Sequence, residues 1–336
     1  MILITGATGL LGSHILLKLL QNGKTLRVLQ RKYSCLDLVK KVFHYYVAEQ
    51  ADTLFQKIEW IEGDILEIPS LEEAFEGVHE VYHAAGRVSF GLRENTLLKK
   101  INVEGTTNVV NLCIDGKVKK LCYISSVATL GEIMFGGYIT EDSSFDRIKD
   151  HQPYAYSKHL AEMEVWRGNQ EGVGIVIVNP SVILASGFWQ ESSGMLFEQV
   201  RKRGSFYTEG STGYVDVRDV AECCIRLMDE NHLGKRYILN SANLSYEEVI
   251  QYIRKKLDLP QAKSISRNAL KWFGRLSGIT ALLSGRDNPL SPGMVQSLTT
   301  KTRYSNERIR RVLNYEFISV KAVLDGYLYR YKKEQL

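Results

Sequence analysis

Met1-Ile-Leu-Ile-Thr-Gly-Ala-Thr-Gly-Leu-Leu-Gly12 is the stretch whose reading decides the fold. A short apolar run is bounded at once by glycine. A helical pattern follows, with Leu11, Ile15 and Leu19 on one face and Asn22-Gly23 at its end. The reading is strand, tight turn, helix. Gly6 lets the chain reverse sharply, Gly9 lets bare backbone approach a pyrophosphate, and Gly12 lets helix and strand pack closely. The helix N-terminus then offers unpaired N–H groups and a positive dipole end to phosphates.

Outward from this unit, 25–30 reads as a second strand ending in Gln30-Arg31-Lys32. A dinucleotide site declares its cofactor about twenty residues beyond the glycines, where an acidic residue accepts from a ribose 2′-hydroxyl. Two cations stand here instead, and they favour a 2′-phosphate, hence NADP(H) over NAD(H). Taken alone, they also read as two exposed bases in a loop. A helical stretch over 36–55 precedes a third strand at 58–61. Ser70 and Glu73 form a capping-box pattern. A fourth strand over 80–83 stops at Ala84-Ala85-Gly86, small residues that let a ligand lie against the backbone. The spacing predicts a long helix over 97–113 and a fifth strand over 120–125. Alternation of strand and helix from residue 1 onward is the signature of an open parallel sheet, with ligands at the strands' carboxyl ends.

The fifth strand runs into Ser125-Ser126, and Pro153-Tyr154-Ala-Tyr-Ser-Lys158 enters a later helix. Tyr154 and Lys158 are four apart, hence on one face. A nearby ammonium favours phenolate, so Lys158 is expected to lower the Tyr154 pKa and make it a usable acid/base. Ser126 is placed to hold a substrate oxygen on which charge develops.

Together these residues resemble the short-chain dehydrogenase/reductase superfamily in its extended branch. Thr5-Gly-Ala-Thr-Gly-Leu-Leu-Gly12 resembles that branch's nucleotide turn, with Thr8, Leu10 and Leu11 among its binding positions. Tyr154 and Lys158 resemble its catalytic pair. Gly63-Asp64-Ile65 (Asp64 toward the adenine), His83-Ala-Ala-Gly86, Asn102-Val-Glu-Gly-Thr106 and Tyr214-Val-Asp-Val-Arg-Asp219 also match. So does Asn179-Pro180-Ser-Val182, which in the branch lies along the nicotinamide. Arg31 and Val-Asn-Pro-Ser-Val are closest in pattern to dihydroflavonol reductase-like and 3β-hydroxysteroid dehydrogenase-like members. Sugar-nucleotide epimerases and dehydratases usually carry Asn where Val182 stands and an Arg shortly before Tyr-Val-Asp, where Ser211-Thr-Gly213 has none.

The resemblance implies a Rossmann-type, doubly wound parallel α/β sheet over 1–180. It implies a smaller, mostly C-terminal substrate-binding portion over 181–336, with 214–240 returning to the core. The expected activity is NADP(H)-dependent reduction of a carbonyl, or oxidation of the corresponding secondary alcohol. A nucleotide-sugar epimerase or dehydratase with tightly bound cofactor is the alternative, and a non-catalytic dinucleotide binder the third reading. Segments 131–138, 186–196 and 269–283, with Phe206-Tyr207, are available to close the pocket. Phe135, Phe188 and Trp189 are expected to give it an apolar wall suited to an aromatic or alicyclic substrate.

The whole chain sets bounds on these readings. Its 336 residues exceed one ordinary domain, and 44% hydrophobic with 24% charged content is that of a globular protein. Five scattered cysteines suit reduced, buried thiols in a cytoplasmic protein. The run 172–190 is uncharged, but Asn179-Pro180 interrupts it, so a buried strand is expected and no membrane span. Seven histidines show no metal-ligand spacing, so no metal is expected. Ten Lys/Arg against two acids, Asp287 and Glu307, fall between 262 and 311. Solvated helix faces or an anionic substrate explain them, and without interleaved aromatics they do not read as a nucleic-acid surface. The partner is a small-molecule substrate, and a homodimer is plausible by analogy with the superfamily.

Overall fold

The computed structural model describes residues 1–89, 91, 94–131, 137–145, 152–189, 195–203, 206–284 and 290–335. Twelve strands are described among them. Seven build one parallel sheet: β1 (Ile2–Thr5), β2 (Leu26–Gln30), β3 (Glu59–Glu62), β4 (Glu80–His83), β5 (Lys120–Ile124), β6 (Gly174–Pro180) and β10 (Lys235–Leu239), in the order β10-β6-β5-β4-β1-β2-β3. Between β4 and β1 the winding reverses, and the crevice beyond the carboxyl ends of these two strands is where such sheets bind ligands.

Helices cover both faces, so the central strands are buried on both sides, β1 wholly and β5 and β6 nearly so, whereas edge strand β3 is Glu-Trp-Ile-Glu with exposed ends. Ile2, Ile4, Tyr82, Cys122, Val176 and Val178 point into one core. Leu3, Val81, Leu121, Tyr123, Ile175 and Ile177, one residue out of phase, point into the other. The first core lies under Leu10–Gln21 and Val217–Asp229, the second under Gly105–Asp115 and Pro153–Gln170.

A smaller sheet is built from β7 (Val182–Leu184), β9 (Ser211–Asp216) and β11 (Ala242–Ser245). A short pair joins β8 (Phe206–Tyr207) to β12 (Lys263–Ser264). The third core, against this smaller sheet, gathers Leu184, Tyr214, Val249 and Ile253 with Val323, Leu324, Tyr327 and Tyr331 of the C-terminal helix Val320–Gln335. The chain returns to the large sheet through Val217–Asp229 and β10, which pairs with β6 from Lys235↔Val176 to Leu239↔Pro180.

Several local expectations are corrected. Ser70 sits inside the helix Ile68–Phe75 and donates to Glu67 O, because Pro69 already occupies the first turn; the capping box is instead Ser245 with Glu248. The stretch 36–55 breaks at Ala48, and 97–113 is interrupted by a π-helical turn at Lys99–Glu104. Cys35 is exposed rather than buried, while Cys113, Cys122, Cys223 and Cys224 are buried and free.

Candidate active site

Gly6 begins the turn with φ +75, a conformation that side chains rarely adopt. A Cβ on it would also lie 2.6 Å from the carbonyl carbon of Ala84 and 2.6 Å from Ala85 Cα. Gly6 thus lets β1 and β4 end against each other. Gly12 faces inward: a Cβ there would sit 2.7 Å from the Gly6 carbonyl carbon and 2.8 Å from Ala7 Cα. Gly9 differs from both. It is exposed, caps the helix Leu10–Gln21 with φ −87, and a Cβ on it would meet nothing nearer than Gly6 O at 3.4 Å. No packing inside the protein requires a glycine there, so its bareness serves the outside, where first-turn N–H groups await an acceptor. Leu10 and Leu11 are core side chains and can offer only main-chain groups, and Thr8 is half-buried. These features fit a pyrophosphate.

The rest of the crevice edge carries the other expected contacts. Parallel pairing of Thr5 with Leu29 puts Arg31 and Lys32 beside the glycine turn. Both are exposed, and among the described residues neither forms an ion pair. At the end of β3, Asp64 accepts Leu66 N–H, and Ile65 packs where a Cβ on Gly105 would clash. Ala84 and Ala85 are half-buried and Gly86 is exposed, with Lys158 Nζ 3.8 Å from where its Cβ would stand. Pro180 ends β6, and half-buried Val182 pairs with Tyr214. Behind this edge, buried His83 bridges Thr5 Oγ1 (2.6 Å) and Thr106 Oγ1 (3.0 Å), and burial holds its pKa down at about 3.

The structure brings Ser126, Tyr154 and Lys158 together beyond β5. Ser126 has extended backbone and caps the turn Val127–Thr129 by accepting Ala128 N–H at 3.1 Å. It acts on the hydroxyl of Tyr154, which is half-buried in the first turn of Pro153–Gln170. One turn on, Lys158 is 5% exposed; its Nζ donates to Ile124 O at 2.6 Å and lies 4.2 Å from the centroid of the Tyr123 ring.

Two electrostatic findings bear on this set. Burial pushes Lys158 down to about 7, against the opposing charge of Glu162. Tyr154 is raised by burial, with the Ser126 hydroxyl pulling the other way, so the expected lowering by Lys158 is not what governs it here. The physical reason is that a buried ammonium near neutrality, already donating to a carbonyl, is a weak source of positive field.

Two further residues carry the site without having been given a role from the sequence. Asn102, in the π-helical turn, accepts Arg87 N–H at 2.7 Å and donates to Arg87 O (3.0 Å) and Ser157 Oγ (2.9 Å), tying the segment after Gly86 to the catalytic helix. Glu162, fully buried, accepts from Ser125, Thr129 and Asn179. Its signal was present: an acid eight residues after Tyr154 and four after Lys158 shares their face. Asp216 and Asp219 serve structure. Asp216 caps Val217–Asp229, and Asp219 accepts from Tyr315 Oη and Ile318 N–H.

The expected pocket wall is corrected. Phe188 is 2% exposed within the first core, and Trp189 is 3% exposed within the third. Trp189 meets Phe197 and Tyr331 edge-on at 5.5 and 5.2 Å, and donates its indole N–H to Glu334 at 2.9 Å. The C-terminal helix covers the loop that was expected to be open. Phe135 lies outside the described residues. The exposed aromatics among the described residues are instead Tyr33, Tyr138, Phe206, Trp272, Phe273 and Tyr329. Among the described residues no group of His, Cys, Asp and Glu could hold a metal, and no helix is long and apolar enough to cross a membrane. Within the basic segment Arg308 is paired with Asp142 at 2.7 Å, whereas Lys263, Arg267, Lys271 and Arg275 are exposed.

Residues 2–240 match the model of the NAD dependent epimerase/dehydratase family. A putative dihydroflavonol 4-reductase from Synechocystis is 27% identical over 269 residues, 78% of this chain and 74% of that one. Tetraketide alpha-pyrone reductase 2 from Arabidopsis thaliana is 28% identical over 272 residues, 76% of this chain and 82% of that one. Among solved structures, a Thermus thermophilus UDP-glucose 4-epimerase complex with NAD superposes with a TM-score of 0.73 at 17% identity, covering 99% of each chain. That last likeness is one of fold.

Proposed function

The chain belongs to the NAD dependent epimerase/dehydratase family, the extended branch of the short-chain dehydrogenase/reductases, and on that premise we propose that it is an NADP(H)-dependent oxidoreductase. It reduces a carbonyl group, or oxidises the corresponding secondary alcohol, with Tyr154 as acid/base. The observation that carries this reading is the convergence of Ser126, Tyr154 and Lys158 beyond β5, with Ser126 acting on the Tyr154 hydroxyl and Lys158 one helical turn away.

Gly6, Gly9 and Gly12 would admit the pyrophosphate, Asp64 and Ile65 the adenine end, Ala84 to Gly86 the middle, and Pro180 and Val182 the nicotinamide end. The dinucleotide, when bound, supplies or accepts the hydride. Everything else falls to this chain. Ser126 orients the substrate oxygen by donating its hydroxyl hydrogen. Tyr154, kept protonated by burial, gives its proton to that oxygen as negative charge develops on it, or takes one back in the reverse direction. Lys158, poised near neutrality, steadies the phenolate once the proton has left.

A 2′-phosphate partner is supported by the exposed cations at 31 and 32, which among the described residues form no ion pair. The reductase reading draws on the names of the relatives, on Val182 where the sugar-nucleotide pattern usually carries Asn, and on Ser211-Thr-Gly213, which holds no Arg. With Phe188 and Trp189 in the core, recognition passes to the C-terminal portion. Helix Pro292–Thr299 abuts the start of the catalytic helix, Gln152 donating to Ser297 Oγ at 3.3 Å, and Gly274 of Arg267–Ser284 is close against Leu290. That places the helix bearing Trp272 and Phe273 one packing layer from Tyr154.

Tyr154→Phe should abolish turnover of NADPH on a carbonyl panel while leaving dinucleotide affinity nearly unchanged. Retained turnover would refute the assignment of Tyr154. Wild-type protein that purifies with stoichiometric oxidised cofactor, with no net turnover, would move the assignment to a nucleotide-sugar epimerase or dehydratase. Binding without turnover on any carbonyl or alcohol would leave a dinucleotide binder.

A further inference from the structure

Glu162 touches none of the expected ligand surface, yet the supports of the reacting set converge on it. One oxygen accepts three hydrogen bonds, from Ser125 Oγ (2.5 Å), Thr129 Oγ1 (2.8 Å) and Asn179 Nδ2 (2.6 Å). Ser125 and Thr129 bracket Ser126, and Asn179 also donates to Ser126 O at 3.1 Å. Among the described residues the other oxygen has no hydrogen bond. Its nearest cation is Arg236 Nη1 of β10 at 3.5 Å, and that guanidinium is otherwise spent on Glu141 O (2.6 Å) and Ser143 O (2.9 Å). Burying a carboxylate costs several kcal/mol unless it is fully paired. A completely buried and incompletely paired one, one turn from Lys158 on the same face, is not what stability alone selects.

We propose that Glu162 is the positioning residue of this site: its carboxylate fixes the backbone that presents Ser126 and supplies the counter-charge that keeps Lys158 protonated. The proposal deepens the reading of Ser126, Tyr154 and Lys158 given above and rests on it.

The groups facing the pair set the expected signs. Lys158 meets Tyr154 and Glu162 on its own helix, the Tyr123 ring from β5, and His83 from β4, a histidine held neutral by burial. Glu162 meets Arg236 from β10 and Tyr123 from β5. Glu162 is thus the anion acting on Lys158, and Arg236 the cation that partly offsets it. Glu162→Gln keeps an acceptor for the three donors but removes the charge. Arg236→Gln removes the offset and leaves the carboxylate.

The test is a pH titration of the Lys158 Cε resonance in 13C-lysine-labelled, cofactor-free protein, assigned by its loss in Lys158→Met. An opposite charge at this range shifts a pKa by about one unit or more. Glu162→Gln should move the midpoint down by about that much, Arg236→Gln should move it up, and the pH–turnover profile should follow in both. Thermal denaturation run alongside separates a purely structural role, which would lower the melting temperature and leave the midpoint in place; that result overturns the proposal. If Glu162→Gln does not fold, Arg236→Gln decides alone: an unmoved midpoint refutes, an upward shift supports. Because the titration needs no substrate, its failure is distinct from failure of the catalytic reading, which Tyr154→Phe tests.

Discussion

Replacing Gly9 and Gly12 by alanine, one at a time, separates what the glycine turn does for the fold from what it does for the ligand. In Gly12→Ala the new methyl would lie 2.7 Å from the Gly6 carbonyl carbon and 2.8 Å from Ala7 Cα. An optimal carbon–carbon contact is about 3.5–4.0 Å. Both obstacles are backbone, so no side chain can rotate away, and the cost belongs at the upper end of the ~1–3 kcal/mol typical of overpacking. In Gly9→Ala the nearest atom is Gly6 O at 3.4 Å, and φ is −87, open to any residue. That change should leave stability intact or raise it by about 0.4–1 kcal/mol through the unfolded chain. The two variants should therefore differ by roughly 2–4 kcal/mol in urea unfolding. Calorimetric titration with NADPH should rank them differently. The Gly9→Ala methyl stands where phosphate must approach, and losing one charge-assisted N–H contact weakens binding roughly ten- to hundredfold. A stable Gly9→Ala that binds like wild type would show that the open face of the turn is not the phosphate surface. A fully stable Gly12→Ala would refute the close-approach argument itself.

Arg31→Ala should cost NADP(H) at least about tenfold in Kd and leave NAD(H) nearly untouched, since a charge-assisted contact contributes roughly 1.5–3 kcal/mol; equal losses would show that Arg31 serves the fold. Trp189→Ala should lower unfolding stability by about 3–5 kcal/mol, as for other buried tryptophans, with no selective rise in KM for bulky substrates; the reverse pattern would restore it to the pocket. His14 and His83 are held neutral by burial, with pKa values of about 4 and about 3 against 6.5 for a free imidazole. The unfolded chain therefore takes up protons that the native state refuses. Stability from these groups is complete above pH 6.5 and falls as pH drops toward 4 and 3, by about 1.4 kcal/mol per pH unit for each proton. Urea midpoints that stay flat from pH 7 to 4.5 would contradict the buried, neutral state.

The large sheet was legible because its determinants are local. Most of its strands are short apolar runs ending beside a glycine or small residue, as at Thr5-Gly6, His83-Ala84 and Ile124-Ser125, and the helices between them carry apolar positions at helical spacing. The proximity of Ser126, Tyr154 and Lys158 was legible for the same reason, Tyr154 and Lys158 being one turn apart and Ser126 abutting β5. What was missed depends on partners distant in sequence. Phe188 and Trp189 sit in a Gly/Ser-flanked segment that looks open until the helix Val320–Gln335 is laid over it, and Glu334 lies 145 positions from the indole it accepts from. The break in 97–113 follows from Asn102, which bonds the Arg87 main chain and Ser157, contacts that no helical periodicity announces. Ser70 failed as a cap because the helix starts earlier, at Ile68, with Pro69 in its first turn.

The burial of Trp189 has a consequence for how the two ends of the molecule act on each other. An indole N–H taken from water must find an acceptor, and the one it finds, Glu334, also accepts from Lys41 (2.6 Å) and Tyr45. One turn earlier Arg330 lies between the rings of Tyr45 and Tyr46, 4.8 and 4.9 Å from their centroids, and donates to Ser186 Oγ at 3.0 Å. Lys41, Tyr45 and Tyr46 belong to the helix Leu36–Val47, which begins five residues after Arg31. Ser186 and Trp189 belong to the segment leaving β7, just past Val182. The last two turns of the C-terminal helix thus hold the segment after Arg31 and Lys32 and the segment after Val182 in one network of charge-assisted contacts. Such contacts are stronger than neutral ones and geometrically exacting. A side chain expected to line the pocket is instead part of what joins the C-terminal helix to the segments that follow Lys32 and β7.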